Sequence, residues 1–157
     1  MMLRRTLYIL LPVMFVAAVV SACGGETVYD KFVSMPSDGL EKNDTAVFDV
    51  PPAASSGRYI REVGLRIAAA YPFTSLSLEV CQTVEPGHRV SVDTLDCRLY
   101  DDDGNVLGHG ISVYQYGFAL PDIDLQKGDS LHVRVRHVMK REILPGITDI
   151  GFSLKTN

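Results

Sequence analysis

Three segments of the chain alternate apolar and polar residues with a period of two. They are residues 63–67, 76–81 and 131–136. Successive side chains of an extended strand point to opposite faces, so strict alternation predicts β-strands with one buried and one wetted face. Turn signals rich in Gly, Pro and Asp separate these segments, and no window after Tyr29 carries an apolar helical stripe of more than two turns. The chain is therefore predicted to be all-β.

About eight strands in two antiparallel sheets are expected, which makes a β-sandwich. A jelly roll and an immunoglobulin-like arrangement both fit the pattern, and the sequence leaves both open. One short helical turn is predicted at residues 140–144, ended by Pro145 and Gly146. The predicted strands are residues 28–33, 45–50, 58–68, 75–84, 89–100, two short strands within 106–118, 130–139 and 147–155.

The N-terminal residues carry an export pattern. Arg4 and Arg5 precede an apolar stretch at residues 7–20, which closes on Ser21, Ala22 and Cys23. This ending resembles the lipobox of bacterial lipoproteins, which implies cleavage between Ala22 and Cys23 and acylation of the Cys23 thiol. The fourteen apolar residues would span about 21 Å as a helix, short of a hydrocarbon core of about 30 Å, which disfavours a retained transmembrane helix.

The predicted organisation follows from that signal. Residues 1–22 are the signal peptide, residues 23–27 a lipidated tether, and residues 28–157 the sandwich domain. Loss of Arg4 and Arg5 leaves 13 basic and 19 acidic residues, a net charge of −6. An acidic domain without a basic stripe is a poor nucleic-acid binder, so no nucleic-acid partner is expected. The membrane partner is reached through acyl chains, because two or more chains hold firmly where one holds marginally.

Cys81 and Cys97 remain after Cys23, and an envelope compartment permits a disulfide between them. Alternation places Cys97 with Leu95 and Leu99 but Cys81 with polar residues, so the two thiols point to opposite faces unless a bulge resets the register. A Cys81–Cys97 disulfide and a free, buried Cys97 both stay open.

No residues are predicted to be catalytic, to bind a metal or to hold a cofactor. The four histidines lack a chelating spacing, and neither a nucleophile elbow nor a phosphate loop is present. The acidic residues at 101–105 fit a hairpin turn, with a weak calcium site as the alternative.

An ordered set of short motifs runs through the predicted domain: VYDKF at 28–32, KNDT at 42–45, YPF at 71–73, DTLDC at 93–97, GHG at 108–110 and GITDIG at 146–151. With these segments and the lipobox, the chain resembles the GldH family of gliding-motility lipoproteins of Bacteroidetes. The resemblance implies an outer-membrane lipoprotein that is associated with gliding machinery and the linked secretion system, with no enzymatic activity.

The function expected from these patterns is that of a protein-interaction module for envelope proteins of a motility or secretion assembly. The candidate partner surface comprises Tyr114 and Tyr116 on an aromatic strand, together with Met139, Lys140, Arg141 and Asp149. A glycan- or peptidoglycan-binding lipoprotein is the alternative. The tether after Cys23 is not strongly acidic, which favours a domain facing the periplasm.

Overall fold

The computed structural model describes residues 25–157. The signal peptide, the cleavage site at Ala22 and Cys23, and the lipidated cysteine lie outside the described residues. Eleven strands form from residue 27 onward. Their bounds are β1 Thr27–Ser34, β2 Leu40–Glu41, β3 Ala46–Val50, β4 Gly57–Ala68, β5 Ser75–Glu85, β6 Arg89–Arg98, β7 His109–Gly110, β8 Val113–Leu125, β9 Ser130–His137, β10 Ile143–Leu144 and β11 Ile147–Thr156.

Eight of these strands have five residues or more, and all strand pairs are antiparallel. One sheet has the order β1-β11-β4-β8-β7 and the other β3-β9-β5-β6, with β2 and β10 forming a separate ribbon. Among these eight strands, the first therefore pairs with the last (β1 with β11), and the second pairs with the seventh (β3 with β9). This double Greek-key connection is a jelly roll, so the predicted all-β sandwich is confirmed and one of its two proposed topologies is selected.

The core lies between the two sheets and is built by the alternating residues. On β5 every second residue from Leu76 to Val84 is buried, and the residues between them are partly exposed. Phe152 of β11 packs against Phe48 of β3, with 5.9 Å between ring centroids. Burying each large apolar side chain contributes about 1.5–3 kcal/mol, so this inner layer supplies the main stabilisation.

The prediction of two short strands within residues 106–118 was wrong. β7 has only two residues, and β8 continues to Leu125. Proline donates no ladder hydrogen bond, so Pro121 fits within a strand only at an edge or an irregularity. Residues Pro121 and Asp122 form a bulge opposite Ile60, where the register with β4 shifts.

The helical turn predicted at residues 140–144 was also wrong. Residues 140–142 form a bend, and Ile143–Leu144 is strand β10, paired with β2. The backbone N–H of Lys42 donates to the carbonyl of Glu142 at 2.8 Å, which extends this pairing. A partner strand distant in sequence thus overrides the local helical preference.

The sandwich has two distinct ends. The tether end carries the N-terminal side of β1 and the tight connections 51–56, 86–88 and 126–129, the first and last of which are joined by backbone hydrogen bonds between Ala53 and both Gly128 and Asp129. The loop end carries the connections 35–45, 69–74, 99–112 and 138–146. The twelve residues of β4 run from one end to the other, which separates the ends by about 40 Å.

Candidate partner-binding surfaces

The loop end holds most of the exposed apolar surface. Of the nine large hydrophobic side chains that are exposed in residues 25–157, five lie there, and Ile111 is 88% exposed. Such side chains scattered singly are normal, whereas apolar side chains that form a contiguous patch mark a contact surface, so the loop end is the candidate surface of this domain. The five are Leu107, Ile111, Val113, Val138 and Ile143.

Four of the predicted surface residues lie at or beside this end. Lys140 and Arg141 are exposed, and the Arg141 guanidinium lies 5.3 Å from the ring centroid of Phe73. Met139 is half-buried, and its sulfur accepts a hydrogen bond from a backbone N–H at 3.4 Å. Asp149 accepts a hydrogen bond from the Ser34 hydroxyl at 2.9 Å on the adjoining sheet face. Their role in binding a partner stays a prediction.

Tyr116 was wrongly predicted to be part of the partner surface. Its side chain is 7% exposed and stacks with Phe118 at 6.1 Å between centroids, and burial raises the pKa of its hydroxyl. Tyr114 is half-buried and packs against the same core. The alternation of Tyr114, Tyr116, Phe118 and Leu120 was the signal that could have placed them on the inner face.

The candidate Cys81–Cys97 disulfide is also wrong. Both cysteines are free. Cys97 of β6 lies opposite Leu76 of β5, and Cys81 is five positions further along β5. That offset is about 17 Å along a strand, and the two side chains point to opposite faces. Burial, helped by Asp96, raises the pKa of Cys97 to about 12, which makes it an inert core thiol.

The acidic segment at residues 101–105 is a turn closed by its own side chain. The Asp101 carboxylate accepts hydrogen bonds from the backbone N–H groups of Asp103 and Asn105 and from the Asn105 side-chain amide. These hydrogen bonds, led by the Asn105 amide, lower the pKa of Asp101. Within the described part of the chain, no group of His, Cys, Asp and Glu converges in a way that could hold a metal ion.

Phe32 covers two glycines, Gly64 and Gly151, in a row of three on the outer face of the five-stranded sheet. Gly151, Gly64 and Gly117 lie side by side on β11, β4 and β8. A Cβ on Gly64 would come within 2.6 Å of the Phe32 ring, so the bare backbone is what admits the ring. The Arg66 guanidinium lies 4.0 Å from the centroid of that ring. A hollow of about 530 Å³ adjoins it, lined in part by Glu62, His109 and Gln115.

His137 is a buried histidine at the end of β9. Its side chain is 1% exposed, and neither ring nitrogen has a hydrogen-bond partner of ordinary geometry within residues 25–157. Loss of hydration, helped by the charge of Lys42, lowers its pKa, although the nearby carbonyls of Leu40 and Glu142 and the Glu142 charge act in the opposite direction. The ring is therefore held neutral in the folded state.

We predict a pH-dependent stability that depends on His137. Above its unfolded pKa of 6.5 the ring is neutral in both states, and below it the unfolded chain takes up the proton first. The free energy of unfolding should therefore fall as the pH falls from 6.5 to the lowered pKa of the folded state. Urea denaturation at pH 7.5 and 5.5 measures this fall. The difference in the free energy of unfolding between the two pH values should be smaller in His137→Leu than in the unmodified protein, and it should be unchanged in the exposed control His109→Leu. If His137→Leu showed the same difference as the unmodified protein, His137 would not be its source.

Comparison with known proteins shows the family of this chain. The sequence model of the GldH lipoprotein family matches residues 27–154. The chain belongs to this family. The resemblance found in its sequence motifs is thereby confirmed, and membership makes the chain a lipoprotein of the cell envelope.

Similar proteins extend over nearly the whole chain. The gliding motility lipoprotein GldH of Flavobacterium johnsoniae is 27% identical over 146 residues, which cover 88% of this chain and 91% of that protein. A family 35 carbohydrate-binding module from Clostridium thermocellum has a TM-score of 0.39 at 12% identity and covers 82% of this chain and 95% of its own. Latent PorU from Porphyromonas gingivalis has a TM-score of 0.34 at 9% identity, over 87% of this chain and 14% of that protein. Likenesses this distant transfer no function.

Residues 25–157 contain no helix with the length and hydropathy needed to cross a bilayer.

Proposed function

We propose that the protein is a non-enzymatic interaction module of a motility or secretion assembly. Acyl chains on Cys23 hold it at the outer membrane, and the sandwich faces the periplasm. The observation that carries this proposal is the opposition of the two ends. The N-terminal side of β1 lies at one end, and the exposed apolar residues of the loop end lie at the other.

The distances make the arrangement workable. Thr27 begins β1 only four positions after Cys23, and four residues span at most about 14 Å. The tether end therefore stays close to the lipid head groups, while the loop end projects about 40 Å from it along the strands. Confinement to a surface raises the effective concentration of the module, so that weak contacts suffice for assembly.

The glycan-binding alternative has less support. A tyrosine stacks on a sugar only from an exposed position, and the burial of Tyr116 removes its ring from the surface. The Phe32 ring on the outer sheet face is already covered by the Arg66 guanidinium. A sugar would have to displace that guanidinium before it could stack.

Site-specific photo-crosslinking in the protein's own cells tests the proposal. A photo-reactive residue at Ile111 should give a discrete cross-linked protein band, and one at the tether-end residue Lys127 should not. Charge reversal gives a matched pair, since Arg141 and Lys127 are both exposed and basic. Arg141→Glu should weaken the Ile111 cross-link, and Lys127→Glu should leave it unchanged. Cross-linking that is absent at Ile111, or equal at both ends, would refute the proposal.

A further inference from the structure

The edges of the two sheets are not equally protected. An edge strand offers unpaired backbone groups to other chains, and proteins blunt such edges with short strands, bulges, prolines or charges. β1 carries a bulge after Thr27 and the exposed charges of Asp30 and Lys31. β3 has five residues and β7 has two, and the open part of β8 carries the Pro121 bulge.

β6 is longer and more regular than these edges, and its exposed charged residues, Arg89, Asp96 and Arg98, leave the segment from Val90 to Val92 uncharged. It runs for ten residues without glycine or proline, and its register with β5 is unbroken from Arg89 to Arg98. No other strand pairs with its outer side in the described part of the chain. Val90 and Val92 point to the same face of the sheet and are 57% and 58% exposed. The unpaired side of β6 therefore presents alternating backbone N–H and C=O groups, and another extended backbone can form hydrogen bonds with them.

A hollow of about 270 Å³ lies beside this edge on the outer face of the sheet, lined in part by Val92, Cys81 and Arg134. These three residues form one row across β6, β5 and β9. Arg136 is paired with Glu79 at 2.8 Å, whereas Arg134 has no carboxylate within 4.0 Å among residues 25–157. The Arg134 guanidinium donates instead to the Cys81 sulfur at 3.6 Å, so it leans towards β6.

We propose that β6 is a docking edge for an extended acidic segment of a partner protein, which adds to the four-stranded sheet as a fifth strand. An apolar side chain of that segment packs against Val90. A carboxylate opposite Val92 lies in the row of Cys81 and is attracted by the uncompensated Arg134 charge. This inference rests on the proposed function, since it names the kind of partner that the module takes.

Two labelled peptides test the edge. Each has nine residues that alternate Thr and Val, with either Glu or Lys at the centre, and each is titrated by fluorescence anisotropy into the full-length lipoprotein in detergent micelles. The Glu peptide should bind about tenfold more tightly than the Lys peptide, a difference of one charge contact. Arg134→Glu should reverse the preference. Arg58→Glu, which removes an exposed arginine at the tether end, should leave it unchanged.

A second variant examines the edge itself. Val92→Lys places a positive charge opposite the central residue of the peptide, so it should widen the preference for the Glu peptide over the Lys peptide. Lack of binding at millimolar peptide, or a preference that Arg134→Glu does not alter, would overturn the proposal. So would a dimer of the lipoprotein that Val92→Lys dissociates, because a second copy would then occupy the edge. The peptide titration and the Ile111 cross-link can fail independently, so the two proposals are distinguishable.

Discussion

Replacement of Cys23 by alanine should abolish acyl labelling and move the protein from the membrane fraction to the soluble fraction. Each buried methylene contributes about 0.8 kcal/mol to membrane binding, so loss of all chains removes the attachment. Metabolic labelling with a fatty-acid analogue, followed by fractionation of the cells, measures both effects.

Cys81→Ala is the matched control for this experiment. Cys81 is a free thiol on the outer face of the four-stranded sheet, and its removal should leave labelling and fractionation unchanged. If Cys23→Ala were still labelled, the lipidation site would lie elsewhere. The assignment of residues 23–27 as a lipidated tether would then be wrong as well.

Replacement of Asp93 by alanine should lower the free energy of unfolding by about 3 kcal/mol. The Arg61 side chain is 5% exposed between the sheets, and its guanidinium lies 3.3 Å from the Asp93 carboxylate. Arg61 also donates to the Gln82 side chain at 2.9 Å and to the Pro121 carbonyl at 2.8 Å. Without Asp93, the Arg61 guanidinium would be a buried charge with only these neutral hydrogen-bond acceptors around it. Urea denaturation of the detergent-solubilised lipoprotein measures the loss.

Two further variants sharpen that measurement. Asp124→Ala removes an exposed ion pair with Arg58 whose atoms are 3.6 Å apart, and it should cost less than about 1 kcal/mol. The triple variant Arg61→Met, Gln82→Leu and Asp93→Leu removes both charges and the buried amide that Arg61 contacts, so it should recover most of the stability that Asp93→Ala loses. A triple variant no more stable than Asp93→Ala would show that packing, rather than the unpaired charge, causes the loss.

The sequence predicted the strands best where alternation was clean. Residues 76–81 and 131–136 lie on β5 and β9 with the expected faces buried. The same parity correctly separated Cys81 from Cys97. The same parity also places Tyr114 and Tyr116 on the inner face, although a cluster of aromatic residues in one strand is also typical of a contact surface.

Pairing over long sequence distances could not be predicted in the same way. The β2–β10 ribbon joins residues 40–41 to 143–144, and the Pro121 bulge forms because β8 must match β4. The Phe32 ring meets Gly64 and Gly151 only because β1, β11 and β4 are neighbours. Local sequence contains no record of which strands become neighbours.

The amino-acid order alone fixed the strand class, the buried face of most strands and the family, because a period of two and an ordered set of motifs are local properties of the chain. The folded arrangement decided which sandwich topology forms, that the tether and the exposed apolar loops lie at opposite ends, and that β6 is a long, regular edge. These features depend on which strands pair, and both candidate topologies bury the same alternating side chains. The choice between them therefore arises from the packing of the whole domain.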